Sequence, residues 1–144
     1  MINLRKLGLG ALAVLALASC NASESAGSVK GYLTSHGFAE SGITQMTGED
    51  YKKTQSAEFK AEGLKEYLAA NKAAASDKEL PEQFYCWFFD TMEHADFFIK
   101  DYVGDLYHSL EGRVKDPSMG SRNNCAWAGT NGIAVGLGWT TTAA

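Results

Sequence analysis

Histidine and cysteine are scarce in this chain, with three of each among 144 residues. An odd count of cysteines allows at most one intramolecular pair and leaves one thiol for another use. His36, His94 and His108 form no His-Glu-x-x-His motif of the kind that gathers zinc on a helix. Basic charge is also short. Thirteen Lys and Arg stand against 17 Asp and Glu, for a formal net charge of −4, and no basic stripe is interleaved with aromatics. That excludes an electrostatic nucleic-acid surface. The uncharged apolar run Leu7–Leu17 falls well short of the roughly twenty residues that span a bilayer. A Gly-x-Ser-x-Gly elbow, a phosphate loop and a dinucleotide fingerprint are all missing. No nucleophile with a base beside it is legible. The expectation is a protein that is not an enzyme and uses no cofactor.

What is present begins at the amino end. Met1–Lys6 carries Arg5 and Lys6 and no acid, the apolar run follows, and Leu17-Ala18-Ser19-Cys20 closes it. This order resembles the signal peptide and lipobox of a bacterial lipoprotein: an aliphatic residue, two small residues and a cysteine. The resemblance covers the address and not the mature domain. It implies export, cleavage after Ser19 and acylation of Cys20. Residues 1–19 are then the signal peptide, and Leu7–Leu17 is its apolar region, not a membrane span. Three acyl chains, as the resemblance implies, anchor firmly where one would hold only marginally. In such lipoproteins an aspartate after the cysteine tends to retain the protein in the inner membrane. Asn21 stands there instead, which points to the outer membrane, facing the periplasm. Loss of Arg5 and Lys6 makes the mature chain two charges more acidic, so an anionic membrane surface would repel it.

With Cys20 lipidated, Cys86 and Cys125 remain. In an oxidising compartment they most simply form a disulfide, worth about 2–5 kcal/mol. A reactive thiol or a metal pair is the rival reading. Residues 20–30 are small and polar up to Ser28 and read as the lipidated cysteine plus a flexible tether. Residues 31–144 make one small globular domain.

Short strands or turns fit Tyr32–Thr34 and Ile43–Met46. Thr47 is a natural helix N-cap ahead of Glu49 and Asp50. From there to Ala75 the Ala, Lys, Glu and Leu content predicts one long helix. A second helix is expected over Glu82–Gly112, with Pro81 at its start and Phe84, Phe88, Met92, Ala95, Ile99, Tyr102, Leu106 and Leu110 on one stripe. Phe97 lies on another side, with Cys86 and Gly104, and asks for a cover. Ile133, Val135, Leu137 and Trp139 alternate with small residues after Asn131-Gly132, which predicts a C-terminal β-hairpin with Cys125–Thr130. The expected fold is thus α+β but mainly helical, two long antiparallel helices with a hairpin clamped by Cys86–Cys125. An all-α fold is the alternative.

On the second helix Asp90, His94, Asp101, Asp105 and His108 share one side. A single straight face offers at most two ligands to an ion, so His94, His108, Asp90 and Asp101 are weak metal candidates beside a plain polar face. Trp87, Phe89, Trp127 and Trp139 are the candidate binding surface, since aromatics are favoured at interfaces. Together these point to a periplasmic lipoprotein that binds another envelope macromolecule: an inhibitor, an immunity or exclusion factor, or an assembly accessory. A small-molecule or metal-binding envelope lipoprotein is the alternative. The partners implied are the membrane, through the anchor, and an envelope protein.

Overall fold

The computed structural model describes residues 24–139. The residues expected as signal peptide and lipobox, Cys20 included, lie outside the described residues. In chain order the elements are helix α1 (Ala26–Ser35), strand β1 (Ile43–Thr47), helix α2 (Gly48–Lys53), strands β2 (Leu64–Lys72) and β3 (Glu82–Phe89), helix α3 (Met92–Phe98), a π-helical turn (Ile99–Val103), helix α4 (Gly104–Leu110), strands β4 (Pro117–Arg122) and β5 (Cys125–Thr130), and helix α5 (Asn131–Gly136). The strands form one antiparallel sheet in the order β1-β2-β3-β5-β4. Helices α1 and α5 cover one face, and α2, α3, the π turn and α4 cover the other. This overturns both the mainly helical expectation and its all-α alternative.

The largest correction is at Glu82–Phe89, expected to open a long helix and found as the central strand. Pairing with β2 and β5 uses its hydrogen bonds on both edges. Phe84, Cys86 and Phe88 enter one core, and Trp87 and Phe89 enter the other. A strand buried on both faces reads as a continuous apolar run, which periodicity does not separate from a buried helix. Burial of each large aromatic contributes about 1.5–3 kcal/mol, so this strand does organise the core, but as a strand. Leu64–Lys72 was expected inside the first helix. Its Ala, Glu, Lys and Leu favour helix only weakly, and pairing with β1 and β3 outweighs that preference. A bulge between Leu64 and Glu66 changes the phase of β2. Leu64 therefore joins one core while Leu68 and Ala70 join the other.

The helical stripe holds from Ala95 onward. Ala95, Ile99 and Leu110 are buried beneath the helical layer, with Tyr102 and Leu106 packed against them. Thr47 caps α2 as expected, its Oγ1 accepting from the Asp50 amide at 3.1 Å, and Ile43–Met46 lies in β1. Tyr32–Thr34 is helical instead. So is part of the segment expected as tether: α1 starts at Ala26, and Ala26 and Val29 are fully buried.

At the carboxyl end a hairpin exists, but one element earlier than expected. Strand β5 pairs with β4 through the turn Asn123-Asn124, where Asn123 adopts φ 51°, a left-handed conformation that asparagine tolerates better than most residues. Asn131-Gly132 opens α5 rather than turning a strand. The disulfide is also corrected. Cys86 and Cys125 are free, buried thiols on one face of the sheet. Cys86 lies opposite Trp127, and Cys125 lies opposite Phe88. The cysteines are thus diagonal neighbours, a relation that sets Cα atoms about 7–8 Å apart, beyond the roughly 4.4–6.8 Å that a disulfide bridges.

Candidate functional site

Strand β3 ends at Phe89, and the next residues build the most chemically distinctive group in the fold. Thr91 caps α3, its Oγ1 accepting from the His94 amide at 3.1 Å. The first turn of that helix brings His94 Nδ1 to 2.7 Å from Asp90 Oδ1. The Asp90 amide donates to Gly63 O at 2.9 Å, which ties this corner to the start of β2. Gly63 has φ 79°, and a Cβ there would run into the Asp90 carboxyl and the His94 ring. Glycine at 63 is what lets the pair lie across the neighbouring chain. On its other side His94 Nε2 is 3.8 Å from Glu62 Oε2, so the imidazole sits between two carboxylates.

The hydrogen bond that His94 donates to Asp90 holds the imidazole above its ordinary range, and the charges of Asp90, Glu62 and Glu93 add to it, while partial desolvation opposes them. The same hydrogen bond to His94 holds the Asp90 carboxyl below the usual carboxylate range.

Beside this pair runs a groove of about 210 Å³. Ala61, Phe89 and Phe98 line it, with Lys60, Glu62, His94 and Asp101 around them. Phe97 also borders the groove and is 65% exposed. It has none of the cover expected from the carboxyl-terminal segment. The base under the groove is a linked set of rings. Phe98 lies 5.2 Å from both Trp87 and Phe89 and 4.9 Å from Tyr102, and Tyr51 stacks on Tyr67 at 4.0 Å. Burial pushes the Tyr51 and Tyr67 phenols well above their ordinary range, so both stay neutral there.

The four aromatics expected at a binding surface, Trp87, Phe89, Trp127 and Trp139, are all core residues. Trp87 and Phe89 pack under the helical layer, and Trp127 and Trp139 pack together on the other face, 5.1 Å apart. Of the metal candidates, Asp90 and His94 meet and Asp101 borders their groove. His108 instead contacts Glu111 at 3.1 Å. At about 1.5 Å of rise per residue it lies roughly 20 Å along the helix from His94, and the π turn between them shifts their faces further. Among the described residues no three His, Cys, Asp or Glu side chains converge as a metal site. Sequence reasoning missed Lys60, Glu62 and Gly63. The signal for them was Gly63 itself, a glycine inside a stretch that otherwise looked helical.

A second recess, of about 410 Å³, opens at the same end of the sheet between Glu24, Lys65, Glu66, Asp90 and Asn124. Here the first described residues are fastened down. The Glu24 amide donates to Asn124 Oδ1 at 2.7 Å, and Asn124 Nδ2 donates to Glu24 O at 3.2 Å and to Phe89 O at 3.0 Å. Arg122 Nε reaches Glu24 Oε2 at 3.2 Å, and the Ala26 amide reaches Glu66 Oε1 at 3.2 Å. Comparison with known proteins gives no match, either to a protein-family model, to a curated protein or to a solved structure.

Proposed function

We propose that this protein is a lipid-anchored lipoprotein of the bacterial envelope, held at the outer membrane on its periplasmic side, that acts without catalysis by binding another envelope macromolecule. The location rests on Leu17-Ala18-Ser19-Cys20 and the residues before it. The binding role rests on one observation, the exposed Phe97 beside a groove whose surroundings carry Lys60, Glu62, His94 and Asp101. An aromatic anchor ringed by charged groups is the composition of a protein interface. At about 210 Å³ the groove is below the roughly 300–1,000 Å³ of pockets that enclose small ligands. It suits one inserted side chain of a larger partner better than a whole free metabolite.

The test is photocrosslinking in living cells from position 97, with position 80 as control because Leu80 is also exposed but lies in the β2–β3 connection at the opposite end of the sheet. A discrete adduct is expected from position 97 and not from position 80, and Lys60→Ala combined with Glu62→Ala should weaken it. Absence of any adduct from position 97, in cells that carry the folded protein, would refute the binding role.

A further inference from the structure

We infer that the sheet end carrying Glu24, Asn124 and Met92 is held against the lipid headgroups, so that the molecule stands on the membrane in one orientation instead of swinging on a tether. The inference rests on the proposal that Cys20 is acylated, and it adds a contact surface to that proposal. The chain from Cys20 to Glu24 spans at most roughly 14 Å, even fully extended. Glu24 is itself not free, because Asn124 grips its amide and carbonyl and Arg122 grips its carboxylate. Ala26 follows at once into a helix whose inner face, Ala26, Val29 and Leu33, is buried. Residues 21–23 are all that separates Cys20 from the fastened Glu24.

That end is built from the start of β2, the end of β3, the Asn123-Asn124 turn and the cap of α3. Met92, in the first turn of α3, is 58% exposed there. The headgroup layer is about 5–8 Å deep on each side of a bilayer, and a connection of at most roughly 14 Å keeps this end, which carries Met92, within reach of that layer. The polar groups around the recess are mixed in sign: Lys65 and Arg122 with Glu24, Glu66 and Asp90. This mixture suits zwitterionic headgroups, which carry an ammonium and a phosphate together. The whole chain is acidic, so the domain has no charge attraction of its own for anionic lipid. The short covalent connection imposes the contact. The opposite end stays in water: β2, nine residues long, runs roughly 30 Å at about 3.3 Å per residue, with Leu80 beyond it.

The test uses the full acylated protein in vesicles of phosphatidylethanolamine and phosphatidylglycerol containing brominated acyl chains. A fluorophore is attached through Met92→Cys or Leu80→Cys; the buried Cys86 and Cys125 do not compete for the label. Quenching by bromine is expected to be severalfold stronger at position 92 than at position 80. A long Gly/Ser insert between residues 23 and 24 should abolish the difference while the protein still floats with the vesicles. Equal quenching at both positions in floating protein whose Cys20 carries lipid by mass spectrometry would overturn the orientation alone. Undiminished quenching at position 92 with the insert would also overturn it, because the short connection would not be the cause. An unmodified Cys20 with no flotation would overturn the orientation and the lipoprotein reading together.

Discussion

His94 is the residue where local chemistry is most open to measurement. Its ring donates to Asp90 and faces Glu62, and both contacts favour the imidazolium. Because its folded pKa is raised, its contribution to stability is complete below the free-imidazole value of about 6.5 and fades as pH rises through the raised value. Asp90 is depressed, so its share is present above about 3.9 and fades as pH falls through the lowered value. The pair therefore supports the fold most in the window between those two reference values. An NMR titration of the imidazole should find His94 titrating above the ordinary imidazole value of about 6.5, and Asp90→Asn should return it toward that value. A His94 midpoint that ignores Asp90→Asn would mean the 2.7 Å contact does not form in solution. The pairing itself was partly legible beforehand, since Asp90 and His94 stand four apart on an expected helix. Gly63 was not, because its role depends on a strand start brought alongside from elsewhere in the chain.

At the scale of elements, α3 is short and leans on its cap. Thr91 is the side chain that satisfies the first-turn amide of His94. Thr91→Ala should cost about 1 kcal/mol in urea unfolding, and the same change should loosen the His94–Asp90 contact, visible as a downward move of the His94 midpoint. A cap of this kind is local, and the one at Thr47 reads correctly, since Thr47 caps α2. The central strands β2 and β3 did not read correctly, for a reason that is not local. Phe84-Tyr85-Cys86-Trp87-Phe88-Phe89 is apolar on both sides because helices cover both faces of the sheet. Such a run has no alternation to announce a strand. Ala69 and Ala70 sit in β2 against their own propensity because β1 and β3 supply their hydrogen bonds. At the carboxyl end the opposite error arose. Ile133 and Ala134 are buried neighbours on one side of α5, with Leu137 packed against the same core, yet the interleaved glycines and alanines imitate a two-residue period.

For the whole molecule, the two cores are filled by the sheet and sealed by helices on each face, and both thiols lie at the centre of one of them. Burial pushes the Cys125 thiol well up, with the Cys86 thiol beside it adding to the effect. A thiolate is the reactive form, so neither cysteine should react while the fold is closed. Labelling with iodoacetamide is expected to be negligible in the native state and to rise with denaturant in step with global unfolding, both sites together. Rapid labelling of one site in water would show that one helical layer opens by itself. In denaturant without reductant both thiols should be titratable, as befits the diagonal register that keeps them unbridged.

The grip of Asn124 on Glu24 joins residues one hundred positions apart. Contacts of such separation form late, because the intervening chain must be ordered first. A polypeptide threaded amino end first through a translocation pore would present residue 20 to modifying enzymes long before residue 124 had emerged. During that interval nothing would shield the segment around Cys20. If Cys20 is acylated as proposed, the hydrogen bonds that fasten Glu24 would close only after that chemistry, and the order of synthesis and the topology of the clamp would keep modification and folding from competing.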